Sequence, residues 1–133
     1  MVSSPNISSN LIEAERIISE AANAGAKLVA LPENFALMGQ DEFDKINQKE
    51  QDGSGPIQDF LANTAQKYAV WIVAGTIPIA DPRDTSKVMA ACLIYNDLGE
   101  RIARYDKIHL FDVHVPGSDE VYRESDTISK GDA

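Results

Sequence analysis

Two short apolar runs constrain what this chain can fold into more than any other feature. Residues 28–31 (Leu-Val-Ala-Leu) and 70–74 (Val-Trp-Ile-Val-Ala) are uninterrupted and too short for helices, so each reads as a strand covered on both faces. Each follows a stretch with helical periodicity. Before the first run, Leu11, Ala14, Ile18 and Ala21 share one face, with Asn10 as the predicted cap, Glu13 reaching back to it and Gly25 as the stop. Before the second, Ile57, Phe60, Leu61, Thr64, Ala65 and Tyr68 repeat the pattern after the turn and helix start Gly53-Ser54-Gly55-Pro56. Pro32 closes the first strand and Gly75 the second. Helix, strand, helix, strand predicts an α/β domain.

Residues 41–52 are mostly polar and read as an exposed, solvated excursion. Downstream, residues 88–95 and 101–105 flank Asn96, Asp97, Leu98 and Gly99, which predicts a hairpin and makes the sheet mixed. Beyond Phe111 the chain reads as irregular, through Val115, Pro116, Gly117 and Ser118 to a polar tail ending at Ala133. No repeat, low-complexity tract or linker interrupts residues 1–133, and the apolar content suffices for one core.

Charge narrows the partners. With 21 acidic against 12 basic residues the net charge is -9, which repels nucleic acid and anionic membrane and favours small molecules or proteins. A single cysteine, Cys92, excludes an internal disulfide and a multi-thiolate metal site, and points to the reducing cytoplasm. No apolar run approaches the roughly 18 residues of a membrane span, and Met1 to Pro5 carry no basic segment leading into an apolar one, so a soluble chain is expected.

Glu33, directly after Pro32, stands at the carboxyl end of a predicted strand, the edge where open α/β sheets gather ligands. Burial there would raise its pKa and suit it to accept a proton; the plainer alternative is a solvent-facing loop glutamate. Lys107 holds the matching place after residues 101–105, either to stabilise an oxyanion or simply to be solvated. Together, at neighbouring strand ends, they suggest an acid/base group and an electrophile facing one pocket. A nucleophile is missing, because Cys92 lies inside the apolar run Met-Ala-Ala-Cys-Leu-Ile-Tyr and reads as a buried, inert thiol. His109 and His114 stand near Asp106 and Asp112, but their spacing matches no common ligand pattern and favours ordinary hydrogen bonding over a metal. No phosphate-cradling or dinucleotide fingerprint is present, so no cofactor is expected.

Four ordered stretches, NLIEAERIISEAANAGAKLVALPENF, GPIQDFLANTAQKYAVWIVAGTIPI, YNDLGERIARYDKIHLFDVHVPG and YRESDTISKGD, resemble the nitrilase superfamily of carbon-nitrogen hydrolases, in particular its Nit-type amidase branch. The resemblance implies a four-layer αββα sandwich that hydrolyses non-peptide C-N bonds with a Glu-Lys-Cys set, without cofactor or metal. It assigns the general base to Glu33, the lysine to Lys107, and to Glu124 a second carboxylate that helps position substrate and nucleophile. The implied substrates are small linear carboxamides, such as α-ketoglutaramate or deaminated glutathione, and the implied assembly is a homodimer. His114 departs from the acidic residue common after F-D-V in this branch.

The resemblance also predicts that residues 1–133 form a partial carbon-nitrogen hydrolase domain. The family's first strand and the later strand with its nucleophilic cysteine, in a motif close to I-C-Y-D, are not matched by any part of this sequence. Such a piece would expose apolar sheet surface and be prone to aggregate. A second reading stays open: a non-catalytic interaction or regulatory fragment of the same fold.

Overall fold

The computed structural model describes residues 1–41, 43–117 and 121–132. Glu42 of the polar excursion, Ser118 of the expected irregular stretch and Ala133 lie outside the described residues. Helix α1 (Ile7–Asn23) begins before the predicted start: its cap is Asn6, whose Oδ1 accepts from Ser9 N at 2.9 Å. Asn10 is instead buried within the helix, where its amide accepts from Ser4 N and donates to Ser4 O and Ala36 O at 2.7 and 2.9 Å. These contacts tie the N-terminal segment and the chain after β1 to one helix face, which is why the cap could not remain at Asn10. The stop is as expected: Gly25 has φ 95°, with Gly25 N on Ala22 O and Ala26 N on Ala21 O, the paired bonds of a left-handed helix end.

Strand β1 (Leu28–Leu31) lies parallel to the first half of β2 (Trp71–Ala80), with α2 (Asp44–Asn47) and α3 (Pro56–Tyr68) between them in sequence. β2 pairs antiparallel with β3 (Val88–Tyr95), and β3 with β4 (Arg101–Asp106) through the predicted hairpin. Asn96 Oδ1 holds that turn by accepting from Leu98 N and Glu100 N. Strand β5 (Asp112–His114) pairs with β6 (Val121–Arg123); a 3-10 turn (Glu124–Asp126) follows, and β7 (Ile128–Ser129) joins the start of β3 in parallel. Among the described residues beyond Phe111, the chain therefore forms strands and a turn where an irregular stretch was expected. The result is the expected mixed sheet, five-stranded, in the order β1-β2-β3-β4 with β7 beside β3.

Helices α1 and α3 share one sheet face, burying Ala14, Ile18, Leu61 and Ala65 against Ile72, Ala74, Ala91 and Leu93. On the opposite face the described residues place the four-residue helix α2, whose Ile46 packs against Val88, Ala90 and Ile128, and neither α1 nor α3. Strand β1 is thus covered on one side only, contrary to expectation, and Leu28 and Trp71 are 57% and 38% exposed. One helix layer on one sheet makes half of a four-layer sandwich. No described helix is long and apolar enough to cross a membrane.

Two further expectations are corrected. Gly75 does not end β2, which runs on to Ala80 through an irregularity between Ala74 and Ile77. A Cβ on Gly75 would lie 2.3 Å from Leu31 O and 2.6 Å from Pro32 C, so glycine is required where the chain leaving β1 passes over β2. The polar excursion is not simply solvated either. Glu50 is buried: its backbone bridges to Pro78 O and Ala80 N, and its carboxylate accepts from Ile57 N (2.5 Å), Gln58 N (3.2 Å) and Gln58 Nε2 (3.1 Å). Because the residue before α3 is Gly55, with no side chain to cap the helix, Glu50 satisfies those N–H groups from outside.

Replacing Glu50 with Ala strips these donors of their acceptor inside the protein and is expected to cost about 2–3 kcal/mol, with Glu50→Gln intermediate. Urea unfolding measures this, and an unchanged midpoint for Glu50→Ala would contradict the capping role.

Candidate active site

The turn after β1 aims Glu33 outward. Phe35 N closes it on Pro32 O at 3.2 Å, Asn34 takes φ 57° as asparagine tolerates, and fully buried Phe35 anchors the exit. Lys107 follows β4, its backbone fixed on both sides: Lys107 N donates to Ala90 O at 3.0 Å and Lys107 O accepts from Gly131 N at 2.9 Å. Glu124 opens the 3-10 turn after β6 and pairs with Phe111, accepting Phe111 N on Oε2 at 2.7 Å while its own N–H reaches Phe111 O at 3.2 Å.

These three side chains meet. Lys107 Nζ lies 3.0 Å from Glu33 Oε1 and 2.9 Å from Glu124 Oε2. The ends of β1 and β4 are not neighbours, because β2 and β3 run between them, a lateral gap of three strand spacings or about 14 Å. The length of lysine and glutamate side chains closes that gap over the sheet. Glu33 is also not buried: its side chain is 52% exposed, against 22% for Lys107 and 16% for Glu124. Burial alone would push the Lys107 ammonium down, but hydrogen bonds and charge from Glu124 and Glu33 outweigh it and hold the group above the ordinary lysine range.

Among the residues proposed from sequence, Glu33 and Lys107 stood out by position. Glu124 had only the resemblance to mark it. Cys92 is half-buried in β3 opposite Tyr105; burial pushes its thiol up, and no described hydrogen bond joins it to the cluster. His109 and His114 are exposed, and among the described residues no group of three or more His, Cys, Asp or Glu is arranged to hold a metal. A residue left in the solvated excursion, Lys45, lies within reach of the charges of Glu124, Glu33 and Lys107. A hollow of about 520 Å³ opens beside the cluster, with Glu124 and Lys45 in its wall. A second, of about 830 Å³ beside Asp81, Arg83 and Arg104, contains none of the three clustered residues.

Residues 2–133 match the family model described as carbon-nitrogen hydrolase. The chain belongs to the carbon-nitrogen hydrolase family. Within this family it is 40% identical over 131 residues to a deaminated glutathione amidase of Synechocystis, covering 98% of this chain and 47% of that protein. It is 39% identical over 137 residues to omega-amidase NIT3 of Saccharomyces cerevisiae, covering 98% of this chain and 45% of the yeast protein. Solved structures share the fold: the C. elegans NitFhit protein superposes with a TM-score of 0.84 at 26% identity over 99% of this chain and 32% of that one. Saccharomyces cerevisiae Nit3, of the nitrilase superfamily, gives 0.79 at 32% identity over 98% and 45%. The chain spans about half the length of the curated relatives it matches.

Since the ion pairs raise the folded-state pKa of Lys107, their contribution to stability is complete below the unfolded lysine value of about 10.4 and is lost as pH rises through the higher folded value. The stability difference between the parent and Lys107→Met should therefore shrink above about pH 10.4 and stay constant between pH 7 and 9. Urea midpoints measured across that range check the sign; a difference that grows at alkaline pH would refute it.

Proposed function

We propose that the whole protein is an amidase that hydrolyses a small linear carboxamide to its acid and ammonia. The observation that carries this reading is one ammonium, Lys107, held between two carboxylates, Glu33 and Glu124, that are far apart in sequence. In the proposed reaction a cysteine thiol attacks the carboxamide carbon and Glu33 accepts its proton. Lys107 donates to the oxygen as it becomes an oxyanion, and the tetrahedral intermediate collapses as Glu33 returns the proton to the departing ammonia. Water, activated by the same carboxylate, then cleaves the thioester and regenerates the thiol. Glu124 keeps Lys107 oriented and, through Phe111 N, is itself held in place.

The nucleophile is the one participant these 133 residues do not bring to the cluster, since their single cysteine, Cys92, is not joined to it. We assign the role to a cysteine elsewhere in the whole protein, a view supported by the half-length match to relatives. The relatives' names, deaminated glutathione amidase and omega-amidase, favour an amide whose other end is a carboxylic acid. No bound cofactor or metal enters the mechanism. Cytoplasmic location and homodimerisation belong to the same reading.

Ammonia release from a panel of ω-amides, nitriles and N-carbamoyl compounds tests it, with ω-amides expected to turn over fastest. Glu33→Gln in the whole protein should lower kcat by about 10²- to 10⁴-fold, and near-normal turnover would remove Glu33 from its role. Residues 1–133 alone should release no ammonia. Activity there that is lost on Cys92→Ala would place the nucleophile at Cys92 instead.

A further inference from the structure

The cluster poses a charge problem for the acidic substrate just proposed. Glu33, Glu124 and Lys107 together carry one excess negative charge, so a substrate bearing its own carboxylate would be repelled from the amide-binding position unless another cation stands nearby. Two cationic side chains share the wall of the 520 Å³ hollow beside Glu124: Lys45 and Arg123. That volume falls within the roughly 300–1,000 Å³ of small-molecule sites; Met38, Phe111, Tyr122 and Ile128 give the wall its apolar part, and Asp41 adds a carboxylate to it beside Glu124.

The two cations are not equivalent. Arg123 is exposed on β6, where solvent screens it. Lys45 is half-buried on α2, and the next residue, Ile46, packs against the apolar cluster of Val88, Ala90 and Ile128. This contact seats α2 beside the segment that begins at Glu124, so Lys45 is placed by packing rather than by a flexible loop. Among the described ion pairs, Lys107 satisfies both carboxylates and Lys45 takes part in none. Burial pushes the Lys45 ammonium below its ordinary range and Lys107 adds to this, while Glu124 and Glu33 oppose it. A partly desolvated cation without a described counter-ion gains more from an incoming carboxylate than a fully hydrated one does.

Resting on the amidase reading, we propose that Lys45 is the specificity-determining residue that binds the substrate's distal carboxylate, while Lys107 and Glu33 act on the amide at the other end. The contact is made equally in ground state and transition state, so its loss falls mainly on KM.

The test compares, in the whole protein, an ω-amide of a four- or five-carbon dicarboxylic acid with its methyl ester, which keeps the length and removes the charge. For Lys45→Met the ratio of kcat/KM for the acid over the ester should fall about 10- to 100-fold, chiefly through KM, and Lys45→Arg should restore part of it. Parallel loss with both substrates would make Lys45 merely structural and overturn the proposal, as would an unchanged ratio. If the unsubstituted protein released ammonia from neither compound, the amidase reading itself would fail, an outcome separable from the other two because it appears before any substitution is made.

Discussion

Everything distinctive about this structure converges on one ammonium. Lys107 is fixed through its backbone to β3 on one side and to Gly131 on the other, so the sheet determines where its side chain starts. Its head group then gathers a carboxylate from the turn after β1 and another from the turn after β6. Without that cation the two carboxylates would face each other over a partly apolar surface and repel. The reciprocal holds as well: a half-buried ammonium needs anions to remain charged. Charge balance thus links three chain segments that share no direct strand pairing with one another.

Parts of this design could be read from sequence because their causes are local. The hairpin turn is determined by Asn96 and Gly99, the end of α1 by Gly25, and the start of α3 by Gly55 and Pro56; each residue acts on groups a few positions away. The position of Glu33 and Lys107 at strand ends was equally visible, since the strand pattern stops beside each of them.

What stayed hidden depends on partners distant in sequence. Asn6 and Asn10 are both sound caps in isolation; Asn10 is removed from that role by Ser4 and by Ala36 on a different segment. Glu50 sits in a polar stretch with nothing local to announce burial, and its importance arises only when β2 offers Pro78 O and Ala80 N to its backbone. Glu124 has the same character, because its meaning lies in Phe111 and Lys107 rather than in the residues around it. The exposure of Glu33 agrees with the solvent-facing alternative read from its position, but the cover of the strand before it was hidden: an apolar strand suggests cover on both faces, whereas β1 has helices on one.

The mutual bonds between Phe111 and Glu124 have one more consequence. They close the base of the β5–β6 hairpin, so the chain leaves the sheet after Lys107, makes its excursion, and is pinned again before β7 re-enters beside β3. Whatever lies beyond that clasp can lengthen, shorten or change composition while the ends stay where they are. Such a layout separates the anchor from the rim, so the hairpin can be edited without disturbing the residues that hold the charge in place.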